Sequence, residues 1–84
     1  MVEFEHLTYI LARDRDYLDR MIPEHEAADF TGYTVRALQN WRLRGGGPKF
    51  IKVSGRSVRY RRRDLIEWAE SLLVASTTEA ANDN

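Results

Sequence analysis

The run Gly45-Gly46-Gly47-Pro48 constrains the fold more than any other feature of the chain. Glycine weakens helices and strands alike, and proline cannot continue a helix, so no regular element is expected to cross these four residues. The apolar pattern also changes there. Before the run, apolar residues recur at helical spacing; after it, β-branched and aromatic residues gather in two short segments, the mark of strands.

On the N-terminal side, Phe4, Leu7 and Leu11 share one helical stripe, with Ile10 beside them and Tyr17 and Leu18 further on. This periodicity predicts an amphipathic helix over residues 3–20, in which Arg13-Asp14-Arg15-Asp16 is a solvated stretch. Its apolar residues are expected to pack on the chain's own domain, with a protein interface as the alternative. Pro23 suits the first turn of a second helix, Glu24 and Glu26 favour its N-terminus, Ala27 and Ala28 permit close packing, and Gly32 ends it. Thr34 is a good N-cap for a third helix, which runs from Val35 to the glycines. Two short helices joined by a tight glycine-containing turn predict a helix-turn-helix.

On the C-terminal side, residues 49–53 and 58–61 read as the strands of a hairpin, with Ser54-Gly55-Arg56-Ser57 as a basic tip. A last helix over residues 63–74 carries Leu65, Trp68 and Leu72 on one stripe, with Ile66 and Leu73 on a neighbouring one. Residues 75–84 are polar and small and are expected to be disordered. The expected fold class is mainly α with a small β-hairpin. Three regions follow: an acidic helical extension (1–20), a helix-turn-helix domain with a hairpin wing (21–74) and the tail (75–84).

Eighty-four residues allow one domain with a modest core, which argues against a large enclosed active site and for a non-enzymatic chain. The absence of cysteine removes disulfides, thiolate metal sites and cysteine nucleophiles together. Met1-Val2-Glu3-Phe4-Glu5 has neither a basic start nor an apolar run, and no segment approaches the roughly 20 apolar residues of a membrane span. A cytoplasmic protein without a membrane partner is expected.

The formal net charge is zero, from 13 basic and 13 acidic residues, but the charges are segregated. Residues 1–31 carry a balance of minus five, residues 32–63 have ten basic residues and no acid, and residues 64–84 have five acids and no base. A basic middle third makes a local cationic field, for which nucleic acid is the usual partner. The alternative is a solvated face that pairs internally with the acidic ends.

At about 100° per residue, Ala37, Leu38 and Trp41 fall on one side of the third helix and Arg36, Gln39 and Asn40 on the other. Arg matches guanine, and Asn or Gln matches adenine, through paired donors and acceptors on base edges. Candidate DNA-contacting residues on this helix are Thr34, Val35, Arg36, Gln39, Asn40 and Arg44. In the hairpin, Arg56 at the tip suits a minor groove, and Lys52, Arg59 and Arg61 suit phosphates alongside. Arg62 is a weaker candidate, and Arg63 is expected to position the fold. The partner implied is double-stranded DNA.

Other motifs fall short. His25-Glu26-Ala27-Ala28-Asp29 has aspartate where a zinc-protease helix needs its second histidine, so no metal site is expected. The glycine run lacks the Gly-Lys-Ser/Thr ending of a phosphate loop, so no nucleotide cofactor is expected either. Trp41, Tyr60 and Trp68 would suit a single-strand stacking platform, but at apolar-face positions they read as core.

The stretch from Ile22 to Thr34, with Trp41, Gly47-Pro48, Gly55, Val58-Arg59-Tyr60 and Asp64-Leu65-Ile66-Glu67-Trp68, resembles the excisionase and AlpA-type family of MerR-like winged helices. The resemblance covers about residues 21–73, and it is the order and spacing of the elements that are specific. The chain departs from the pattern in having Pro23 where Ser or Thr usually caps, and Thr31 where an apolar residue is usual. The resemblance implies a winged helix-turn-helix with an extra N-terminal helix. It also implies a small accessory factor of a mobile element, which either directs a tyrosine recombinase towards excision or regulates transcription. Self-association, such as cooperative head-to-tail assembly on DNA, is a further expectation. The rival from another class is a protein-interaction module that does not bind DNA.

Overall fold

The computed structural model describes residues 3–74, with side chains from Thr8 onward; the tail 75–84 and the side chains of Phe4 and Leu7 lie outside the described residues. In chain order the elements are α1 (Glu3–Arg13), β1 (Met21–Pro23), α2 (Glu24–Thr31), α3 (Val35–Arg44), β2 (Ile51–Lys52), β3 (Val58–Arg61) and α4 (Arg62–Ser71).

Local chemistry sets α2 and α3. Gly32 ends α2 in the left-handed conformation (φ 79°), and its N–H and that of Tyr33 both donate to the Ala28 carbonyl, at 2.9 and 3.1 Å. Thr34 then caps α3, its hydroxyl accepting the Ala37 N–H at 3.0 Å. The resulting helix-turn-helix packs α2 against α3, with α4 across α2. The hydroxyl of Thr31 donates to the Ala27 carbonyl at 2.9 Å, which satisfies the polar group at a usually apolar position.

The sheet has three antiparallel strands in the order β1-β3-β2. Its first strand is an addition to the expected hairpin: Met-Ile-Pro pairs with β3 in the register Ile22↔Tyr60 and Pro23↔Arg59. Pro23 therefore closes an edge strand, the place in a sheet that tolerates proline, and α2 begins directly after it. In the hairpin, Ile51 faces Arg59 and Lys52 faces Val58. The two strands are joined through Ser54–Ser57, whose backbone bonds to Ser57 close the turn.

The core comprises Ile22, Ala27, Ala28, Leu38, Tyr60 and Leu65, with Val35, Trp41 and Val58 packed against it. Complete burial of Ala27 explains how α2 lies so close to its neighbours. The glycine run is held by aromatic residues. A Cβ on Gly47 would overlap that of Trp41 and lie 2.7 Å from its Cγ, so only glycine fits. Trp68 Nε1 donates to the Gly46 carbonyl at 3.0 Å, and Trp41, Trp68 and Tyr33 meet edge to face at 5.0–5.8 Å. These tryptophans brace a loop. Leu72 and Leu73, expected on the packed stripes of the last helix, are mostly exposed and lie past the end of α4.

The N-terminal region differs most from expectation. The helix stops at Arg13 rather than near residue 20, because the Asp14 carboxylate accepts the Asp16 N–H at 3.2 Å and is gripped by Arg20 at 2.6 and 2.7 Å. Among the described residues, α1 takes part in none of the main packings between elements. The turn after it docks instead. Tyr17 stacks on the guanidinium of Arg62 (4.2 Å to the ring centre) and meets Phe30 edge to face, while the Arg63 N–H donates to the Leu18 carbonyl at 2.9 Å.

Candidate nucleic-acid interface

Capping and burial orient α3. Leu38 is fully buried, and Val35, Ala37 and Trp41 are half-buried, so the helix turns Arg36, Gln39, Asn40 and Arg44 to solvent. Of the two N-terminal candidates, Thr34 is exposed but spends its hydroxyl on the cap, and Val35 packs against the core. Gln39 is not wholly free, since its Nε2 donates to Glu24 Oε2 at 3.3 Å.

Two residues on α3 escaped the sequence reading. Leu43 is 86% exposed, the largest exposure of any bulky apolar residue among those described. The signal was available, because Leu43 follows Gln39 and Asn40 by four and three residues and so shares their face. Arg42 lies on the flank, its side chain only 18% exposed. It donates to the Tyr60 hydroxyl at 2.6 Å and to Glu24 Oε1 at 3.1 Å, tying α3 to both β3 and α2. No local pattern announces that role.

The hairpin stands beside α3, and the two border an open groove of about 490 Å3 whose lining includes Gln39, Leu43, Lys52 and Arg56. Lys52 and Arg56 are exposed. Arg59 is half-buried and folds back so that Nη1 donates to the Val58 carbonyl at 3.0 Å. Arg61 is engaged elsewhere: Nε and Nη2 bind the two oxygens of the buried Asp64 at 2.8 and 3.1 Å. Hydrogen bonding to that carboxylate raises the Arg61 pKa, so the cation is held in place.

The ten basic residues of the middle third therefore divide. Arg42, Arg61, Arg62 and Arg63 form ion pairs with Glu24, Asp64, Glu26 and Asp19. Arg36, Arg44, Lys49, Lys52, Arg56 and Arg59 have no acidic partner among the described residues. The internal-pairing reading of the charge run holds for four of these residues and not for the other six. The paired arginines join parts of the fold, and the unpaired cations lie on α3, on the hairpin strands, at the hairpin tip and at the approach to it. The larger groove between α2 and α4, about 590 Å3, contains no basic residue in its lining and is mostly apolar.

Among the described residues, no three His, Asp or Glu side chains stand close enough together to hold a metal ion, and no helix is long and apolar enough to cross a membrane. The family described as "Helix-turn-helix domain" matches residues 25–72, more than half of the chain, spanning α2 to the end of α4. That match supports binding of double-stranded DNA and suggests a regulator without enzymatic activity. No curated protein matches the chain.

Proposed function

The chain belongs to the helix-turn-helix domain family, and on that footing we propose that it binds duplex DNA with α3 in the major groove and the β2–β3 hairpin, as a wing, beside the adjacent minor groove. The observation that carries this reading is the division of the arginines: Lys52 and Arg56, cations without acidic partners, border one groove with Gln39, and Arg36, Asn40 and Arg44 are exposed on the same helix as Gln39. Arg36, Gln39 and Asn40 read base edges, at about 1–3 kcal/mol of discrimination for each well-made bidentate pair. Arg44, Lys52, Arg56 and Arg59 meet phosphates or the minor groove, and the backbone at Thr34 and Val35 approaches a phosphate. Arg61 joins them only by sharing its charge with Asp64.

The task we assign is that of an excisionase, which directs a tyrosine recombinase towards excision of a mobile element. Its support is the order and spacing of the motifs over residues 21–73. An AlpA-type transcriptional regulator would need the same contacts, so an excision assay set against a promoter reporter separates the two. The DNA-binding reading itself is tested by measuring duplex affinity at 50 and 200 mM salt for the chain and for an Arg36→Ala, Arg59→Ala double variant. With about six phosphates neutralised, affinity should fall roughly a thousandfold over that range, and the double variant should bind more weakly throughout. Negligible binding at every salt concentration would instead favour a protein-interaction module.

A further inference from the structure

Leu43 is the one residue on the exposed face of α3 that can neither donate nor accept a hydrogen bond. A singly exposed leucine on a protein surface is ordinary. The place of this one is not. At about 100° per residue it falls between Gln39 and Asn40 and within about 20° of Arg36, on the centre line of the face rather than at its margin. At 86% exposure it leans on no neighbour, and the core-facing residues of the helix, Leu38 and Trp41, lie on the other side. It also lines the groove between α3 and the hairpin, across which stand Lys52 and Arg56.

A side chain in that position meets the base edges if α3 lies in the major groove. Adenine and guanine present hydrogen-bonding groups there, cytosine adds only a small C5–H, and thymine alone presents a bulky apolar group, its 5-methyl. Against a polar edge, leucine would strip water from a donor or acceptor without replacing the bond. Against the methyl it gains contact and loses nothing. We infer that Leu43 is a specificity-determining residue that selects thymine by packing on its 5-methyl group. The inference rests on the DNA-binding reading above and deepens it: Arg36, Gln39 and Asn40 read hydrogen-bonding edges, and Leu43 reads the methyl beside them.

The test begins by selecting preferred sequences from a pool of random duplexes. In the selected duplex each thymine is then replaced singly by deoxyuracil, which removes the methyl and leaves the pairing edge unchanged. Affinity is measured for the chain and for Leu43→Ala. At one thymine, or two neighbouring ones, loss of the methyl should weaken binding about fourfold, the value of one buried methyl-sized group. The Leu43→Ala variant should bind the thymine and uracil duplexes equally. If every methyl can be removed without loss, or the loss persists unchanged in Leu43→Ala, the inference is overturned while DNA binding stands. If selection enriches no sequence and duplex affinity is negligible even at low salt, the DNA-binding reading fails, and this inference with it.

Discussion

Arg36 and Arg42 share one helix and have opposite surroundings. Arg36 is exposed and without an acidic partner, whereas the Arg42 side chain reaches the fully buried Tyr60 and the carboxylate of Glu24. Burial disfavours the charge on Arg42, but the bonds to Tyr60 and Glu24 outweigh it and raise its pKa above the ordinary arginine value. Removing the side chain would leave the Tyr60 hydroxyl without its donor inside the fold. Arg42→Ala should therefore lower the unfolding free energy in urea by about 1–3 kcal/mol. Arg36→Ala should leave the urea midpoint unchanged and weaken DNA binding; the reverse pattern would exclude the division of roles. From sequence the two are alike, since each is an arginine on the same amphipathic helix. What separates them is which distant residues lie within reach.

The N-terminal segment teaches a similar lesson about elements. The periodicity of Leu11, Tyr17 and Leu18 suggested one helix to residue 20, but the aspartates between them offer the backbone a competing partner, and the helix ends at Arg13. The turn that follows covers the Arg62 guanidinium, which also donates to the Tyr17 carbonyl at 3.0 Å and is only 13% exposed. A cation set so deeply between Tyr17 and Phe30 gains from both ring faces. Replacing Tyr17 by Ala should cost about 1–2 kcal/mol in urea unfolding, while removing residues 1–13 should change it by less than about 0.5 kcal/mol. A large loss from the truncation would mean that α1 supports the core. Other elements were legible because their signals are local: Thr34 as a cap, Gly32 as a stop and alternating side chains in Val58–Arg61.

Across the whole molecule, the zero net charge conceals two settings of arginine, paired and unpaired. The acidic ends do neutralise part of the basic middle, at the contacts that join α2 to α3 and to α4, and α4 to the N-terminal turn. They leave six cations without acidic partners among the described residues, five of them on α3 and the hairpin and the sixth, Lys49, beside α4. The number available sets the salt response. A plot of log affinity against log salt should have a slope no steeper than about −5, the limit set by six unpaired cations, rather than about −9, as ten would give. Arg63→Gln should leave that slope unchanged, because Arg63 is held by Asp19. A slope near −9, or one lowered by that substitution, would show that the paired arginines also reach phosphates.

The sequence by itself determined the helix-turn-helix, the hairpin and the solvent-facing side of α3. Caps, glycine stops and apolar period act between residues a few positions apart. Only the tertiary structure decided that Met21–Pro23 is a strand, since its three residues carry no period of their own and become one by pairing with Tyr60 and its neighbours. It also decided which arginines bind the fold and which remain open to a polyanion. An ion pair depends on where two remote side chains come to rest, and the chain must fold before that is settled.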